Sequence, residues 1–256
     1  CIRDRVTVEK IGEIPAESGE FKDALDRLWD YAYTISDFDH LQSLQTFQDG
    51  DFYVQDLSSM LVAEMAAPKK GDYVIDVCAA PGGKSSHIAE LMDGTGMVEA
   101  RDLTEYKTNL IEENIRRHGL SNMKAVCMDA TVFDRDSVEK ADILVCDLPC
   151  SGLGVMGKKT DIRYKMTEEK EKELVQLQRQ ILKTVIPYVK ENGTVIYSTC
   201  TIDRAENEEN AAWIEREFPE LSLVAMKQMF PGEAGNDGFF ISKFVSHGSL
   251  SKSRAI

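Results

Sequence analysis

The stretch Tyr73–Asp102, YVIDVCAAPGGKSSHIAELMDGTGMVEARD, carries one complete strand–turn–helix–strand unit and decides the fold class. Tyr73 to Ala79 is a short apolar run, which reads as a buried strand. Ser85 to Met92 follows as a helix, and Met97 to Leu103 as a second apolar strand. Between the first strand and the helix lies Cys78-Ala79-Ala80-Pro81-Gly82-Gly83-Lys84. Paired glycines there let the backbone approach a ligand, which the free N–H groups of the helix start then face. Gly83-Lys84-Ser85 imitates the end of a P-loop, but Cys78 occupies the place where that motif needs its first glycine. The turn also departs from G-x-G-x-x-G, which disfavours a nicotinamide cofactor. Asp102 stands at the end of the second strand, about 20 residues on, where a carboxylate binds the ribose of an adenosine ligand.

The same alternation extends outward. A helix is expected over about 56–67, ending at Pro68, and another from Glu105 to His118, ended by Gly119. Ala125–Met128 and Asp142–Asp147 read as the third and fourth strands, and Asp129 follows the third as Asp102 follows the second. A long amphipathic helix is expected over Thr167–Lys190, with Leu174, Leu177, Ile181, Val185 and Val189 buried and Pro187 bending its last turn. Thr194–Ser198 is the fifth strand, and a helix over Glu206–Glu217 follows. Leu221–Met226 and Phe239–Val245 lie too close together for a helical crossover, so the last strand is expected to be antiparallel. The result is a seven-stranded, mostly parallel α/β sheet of Rossmann type.

Two cysteines stand where these strands end. Cys150 follows Asp147 and Pro149 in DLPCSGLG, and Cys200 lies in YSTCT. If both strands are parallel, their carboxyl ends share the sheet edge where open α/β sheets bind ligands. Cys150 could be a small buried hydrophobe, but its Pro, Ser and Gly neighbours favour an exposed turn. Thiol chemistry beside a carboxylate is the reading that follows.

The 256 residues allow one large domain or a domain with a small appendage. A net charge of −14 argues against broad nucleic-acid affinity without excluding a local basic groove. Lys69-Lys70, Arg116-Arg117 and Lys158-Lys159 each read first as solvated surface. The six cysteines form no C-x-x-C pair and have no nearby His pair, so structural zinc is disfavoured and reduced cytoplasmic thiols are expected. No apolar run is long enough to cross a membrane as a helix. The chain starts at Cys1, without Met or a signal-peptide core, and is read as a fragment lacking an upstream domain.

Six segments, taken together, resemble the RsmB/Nop2/Sun family of RNA (cytosine-5) methyltransferases: DGDFYVQDLSSMLVA, DVCAAPGGKSS, DLPCSGLG, DIRYKMTEEK, YSTCTIDRAENE and DGFFISKF. They span about 200 residues in family order, and the phrase FDHLQSLQTFQDGDFYVQDLSS is most similar to the bacterial 16S ribosomal RNA branch. The resemblance implies the methyltransferase version of the Rossmann sheet over 46–246, a shortened RNA-binding-type region over 1–45 and a flexible tail over 247–256. It implies S-adenosylmethionine (SAM) as cofactor and a single-stranded or splayed cytosine in ribosomal RNA as substrate. It also implies a monomer with no metal. Cys78, Ala79, Ala80, Pro81, Gly82, Gly83 and Lys84 would carry the methionine portion of SAM, Asp102 the ribose and Asp129 the adenine. Asp147 would lie between cofactor and base. Cys200 falls on the nucleophile's position and Cys150 on that of the product-releasing cysteine. DNA cytosine-5 methyltransferases instead use the cysteine of a Pro-Cys pair, which would point to Cys150. Lys158, Lys159 and Arg163 are the candidates for RNA contact. The rival readings are a non-catalytic SAM-binding ribosome-assembly factor, a transfer RNA methyltransferase of the same chemistry, and a nucleotide-binding oxidoreductase.

Overall fold

The structure, a computed structural model, describes residues 7–11, 19–232 and 236–250; Cys1 lies outside them. A small antiparallel pair, β1 (Thr7–Lys10) and β2 (Tyr33–Ser36), brackets helix α1 (Glu20–Leu28). Ala24, Leu25 and Leu28 recur on one face of α1 and are buried in the same core as α3 (Leu57–Ala66). A short helix, α2 (Gln45–Gln48), lies between. Asp56 caps α3 by accepting the Ser58 N–H at 3.0 Å, the usual way a helix start is satisfied.

The main sheet comprises β3 (Tyr73–Asp76), β4 (Met97–Asp102), β5 (Met123–Cys127), β6 (Ala141–Asp147), β7 (Val189–Thr199), β8 (Leu221–Met229) and β9 (Phe239–Ser246). Its strand order is β5-β4-β3-β6-β7-β9-β8. The first five positions are parallel, and β9 runs antiparallel to both β7 and β8. The expected seven-stranded sheet with an antiparallel last strand is therefore present. Helices α4 (Gly83–Leu91), α5 (Glu105–His118), α6 (Ile162–Lys165), α7 (Glu168–Val185) and α8 (Glu208–Glu217) complete the chain.

Side chains alternate between two cores because successive strand residues face opposite ways. Val74, Ile143, Val145 and Ile196 pack on the side of α1 and α3–α5. Ile75, Leu144, Cys146, Val195 and Tyr197 pack on the side of α7 and α8. Cys146 is thus a core residue; it takes no part in the edge chemistry.

The long helix is shorter than its pattern suggested. It ends at Val185, Ile186–Tyr188 form a 3-10 turn, and β7 starts at Val189. Pro187 has no N–H to donate and its ring opposes a further helical turn. Val189 accordingly belongs to the sheet, and the helix's buried face is Gln178, Ile181, Leu182 and Val185, with Leu174 and Leu177 only partly covered. At the chain's end, Ser246 belongs to β9 and Leu250 is buried against the α7–α8 core; 251–256 lie outside the described residues.

Strand order reverses between β3 and β6, which opens a crevice at the carboxyl ends of these strands. Register aligns Asp76 with Val145, Asp102 with Cys127 and Asp147 with Ser198, so their following loops share one edge. Gly154 fastens three of these loops together: its N–H donates to the Cys200 carbonyl at 3.1 Å, and its carbonyl accepts from Gly238 N–H at 2.9 Å. A Cβ at Gly154 would fall 2.0 Å from the Gly238 oxygen. Gly154→Ala should therefore cost about 3 kcal/mol or more, roughly 6–12 °C in melting temperature. Calorimetry giving an unchanged transition would show that the two backbones separate freely.

Candidate active site

The turn after β3 is braced from below. Ala79 N–H donates to the Arg101 carbonyl at 2.8 Å and Ala80 N–H to Asp102 Oδ2 at 3.0 Å. The Pro81 carbonyl accepts from Asn114 of α5 at 2.8 Å. Gly82 has φ 106°, a conformation that favours glycine, and packs against Ile111. At Gly83 the situation differs: an added Cβ would meet nothing within 4 Å. The protein leaves open space above this residue, at the start of α4.

Asp102 is buried, and its carboxylate is already engaged by Ala80, by Leu103 N–H at 2.7 Å and by Lys107 at 2.8 Å. It supports the turn from the end of β4. Asp129 accepts from Thr131 N–H at 2.8 Å and Thr131 Oγ1 at 2.7 Å, and borders a small cavity lined by Val77, Met128 and Val132. Both carboxylates stand at the sheet edge, one strand apart.

The Lys84 side chain leaves the turn and crosses to β6. Its Nζ lies 2.7 Å from Asp147 Oδ2, while Asp147 Oδ1 accepts from Ser198 Oγ at 2.8 Å. Burial works against the ammonium, but Asp147, together with Asp76 and Cys200 nearby, outweighs it, so Lys84 holds its proton more tightly than an ordinary lysine. Asp147 thus joins the turn after β3 to the end of β7.

Cys150 and Cys200 converge, with their sulfurs 3.3 Å apart. Either sulfur can donate its hydrogen to the other. That contact holds Cys200 below the ordinary thiol value; burial and Asp147 oppose it, and Lys84 and Lys159 reinforce it. Cys150 moves the other way, raised by the Cys200 contact, by burial and by Glu206. The site therefore offers two thiols of unequal acidity, Cys200 the more acidic, and an ammonium–carboxylate pair at the mouth of a glycine-lined turn.

A profile of the 16S rRNA methyltransferase RsmB/F family matches residues 63–245, which include every side chain of this cluster. The chain belongs to the RsmB/F family. A probable ribosomal RNA small subunit methyltransferase B of Bacillus subtilis (strain 168) is 40% identical over 220 residues, 79% of this chain and 49% of that protein. A tRNA (cytosine(72)-C(5))-methyltransferase of Pyrococcus horikoshii is 35% identical over 219 residues, 79% of this chain and 54% of that protein. The crystal structure of NSun6 from Pyrococcus horikoshii with SFG, a SAM analogue, matches with a TM-score of 0.74 and 29% identity. It covers 87% of this chain and 62% of that one. The chain spans about half the length of the curated relatives it matches.

Two features of this RsmB/F-family site lie beyond the residues singled out from sequence, and one expected residue takes a different place. Asp76 is buried beneath the turn, accepting from Ser85 Oγ at 2.5 Å, and burial raises it from 3.8 to about 7. Because its folded value exceeds its unfolded one, its stabilising contribution is full below pH 3.8 and is lost as pH rises through 7. Asp76→Asn should thus gain on the wild type by up to about 4 kcal/mol between pH 4 and pH 8. Denaturant unfolding at both pH values checks this, and a constant difference would mean that Asp76 does not titrate there.

Glu206 is the second feature, fully buried against the Cys150 loop. It falls within YSTCTIDRAENE but was given no role from sequence, since a Glu where a helix is expected to start is ordinary. Lys158, a candidate for RNA contact from sequence, instead has its Nζ bridging Asp237 at 2.8 Å and Asp56 at 3.3 Å. It ties the segment after Cys150 to the start of α3, whereas Arg163 on α6 is exposed.

Proposed function

We propose that this chain is the catalytic part of an RNA methyltransferase that moves a methyl group from SAM to C5 of a cytosine in 16S ribosomal RNA. The observation that carries this reading is the unequal thiol pair 3.3 Å apart beside Asp147 and Lys84. SAM fits the residues present: Gly83 keeps open the space that a side chain would fill, and carboxylates stand at the adjacent strand ends. The Cys78–Lys84 turn would hold its methionine portion, Asp102 its ribose and Asp129 its adenine. When bound, SAM supplies an electrophilic methyl group.

Cytosine C5 is too electron-poor to accept that group unaided. Addition of the Cys200 thiolate to C6 makes C4–C5 enamine-like, and a lowered thiol pKa suits this reversible addition. Charge then develops at N3. Asp147, ion-paired as a carboxylate, can only accept, so its partner in the base is the exocyclic N4 amino group. The Lys84 ammonium beside it is the donor for N3. Once Cys200 is bonded to carbon, Cys150 no longer has a thiolate against it. Its own sulfur can then release its proton to solvent despite the nearby Glu206 and take the C5 proton, and the C5–C6 double bond re-forms as Cys200 leaves as a thiolate. The base must lie outside its stack for Cys200 to reach C6.

Incubation with tritiated SAM and unmethylated small-subunit or transfer RNA, followed by bisulfite mapping, tests the reading. Label at a cytosine of 16S RNA is expected. The 35% identity to a transfer RNA enzyme keeps that substrate as the second reading, and label in transfer RNA alone would establish it. SAM binding without label in either RNA would leave an assembly factor.

A further inference from the structure

The two thiols are chemically identical, so something around them must decide which one ionises. Glu206 is fully buried, and its carboxylate accepts from Ser151 N–H at 3.0 Å, from the Ser151 hydroxyl and from Gln178 Nε2 at 2.8 Å. Every partner can donate, so the group fits there as an anion. Gln178 also donates to the Pro149 carbonyl at 2.9 Å. The carboxylate is therefore fastened to the residues on both sides of Cys150.

A line of hydrogen bonds points the same way. Asp203 N–H donates to Thr201 Oγ1 at 3.2 Å, Thr201 and Ser151 share a bond of 2.7 Å, and Ser151 donates onward to Glu206. Burial and Asp203 raise Glu206 itself, whereas the bonds from Ser151 and Gln178 favour its charge. The Tyr197 hydroxyl, from the other side, donates to the Glu206 backbone carbonyl. On the Cys200 side the Asp147 carboxylate pushes the thiol up, and the ammonium groups of Lys84 and Lys159 oppose it.

We propose that Glu206 sets the order of the two cysteines: its buried charge, held against the Cys150 loop, keeps Cys150 protonated and leaves the thiolate to Cys200. Glu206 is thus a positioning residue that acts through Cys150 without touching substrate. The inference rests on the reading of Cys150 and Cys200 as a working pair. Its test uses neither RNA nor SAM, so a failure of methyl transfer and a failure of this inference are separable.

Limited alkylation with iodoacetamide, read by peptide mass spectrometry, should modify Cys200 about tenfold faster than Cys150 in the wild type. Glu206→Gln keeps the shape and removes the charge, and the preference should collapse. Ser151→Ala removes a hydrogen bond and keeps the charge, and the preference should survive. A preference unchanged in a folded Glu206→Gln protein, or lost equally in Ser151→Ala, overturns the inference. If Glu206→Gln fails to fold, single-cysteine titrations decide. Cys150 alone, in Cys200→Ser, should titrate above the ordinary value of about 8.5. Cys200 alone, in Cys150→Ser, should titrate at or below it. Equal values would place the asymmetry in the pair itself and sink the proposal.

Discussion

Cys200→Ala is expected to lose methyl transfer by about 10³-fold or more and to form no covalent RNA adduct, whereas Cys150→Ala should accumulate one. The two substitutions remove the same atoms from sulfurs only 3.3 Å apart, so a difference between them reports role and not position. Without Cys200 no thiolate can add to C6, and C5 stays unreactive. Without Cys150 addition can still occur, but the group placed to take the C5 proton is gone and the thioether persists. Denaturing gels of RNA mixed with each variant and SAM would show this directly. The reverse pattern would assign the nucleophile to Cys150, as in enzymes that attack with a Pro-Cys cysteine.

The sheet and its edge were legible in the sequence because a parallel core writes itself as short apolar runs ended by turn residues. Cys150, Cys200, Asp147 and the glycine turn stood out for the same reason, each being a polar or special residue where an apolar run stops. What was not legible depends on side-chain reach. Lys84 read as part of the turn, yet its long stem carries the ammonium across to Asp147. Lys158 read as a surface cation and is a bridge between two carboxylates. Gln178 lies on the apolar face of α7 and is fully buried because Pro149, Glu206 and Asn210 supply its partners. Pro187 was read as a bend and is instead a boundary between helix and strand. Periodicity reports which face is inward, but it does not report what a buried polar group meets there.

Asp147→Asn is expected to produce two changes of opposite sign, and the opposition is what makes it informative. Methyl transfer should fall by roughly 10²–10³-fold, the effect of losing one aligned electrostatic partner of the reacting group. Cys200 should meanwhile react faster with iodoacetamide at neutral pH. Asp147 is one of the groups that hold the Cys200 thiol up, and it also occupies the ammonium of Lys84. Neutralising Asp147 removes that repulsion and leaves Lys84 free to stabilise the thiolate. A more reactive nucleophile in a slower enzyme would mean that Asp147 acts on the base and on Lys84, not as an activator of Cys200. If alkylation and methyl transfer fell together, the ion pair would instead be holding the thiol loops in place, and the asparagine variant should then also melt earlier. Ser198→Ala separates these cases, because it removes the 2.8 Å bond to Asp147 Oδ1 while leaving the charge. Under the electrostatic account it should retain most of the activity, since Lys84 still fixes the other oxygen.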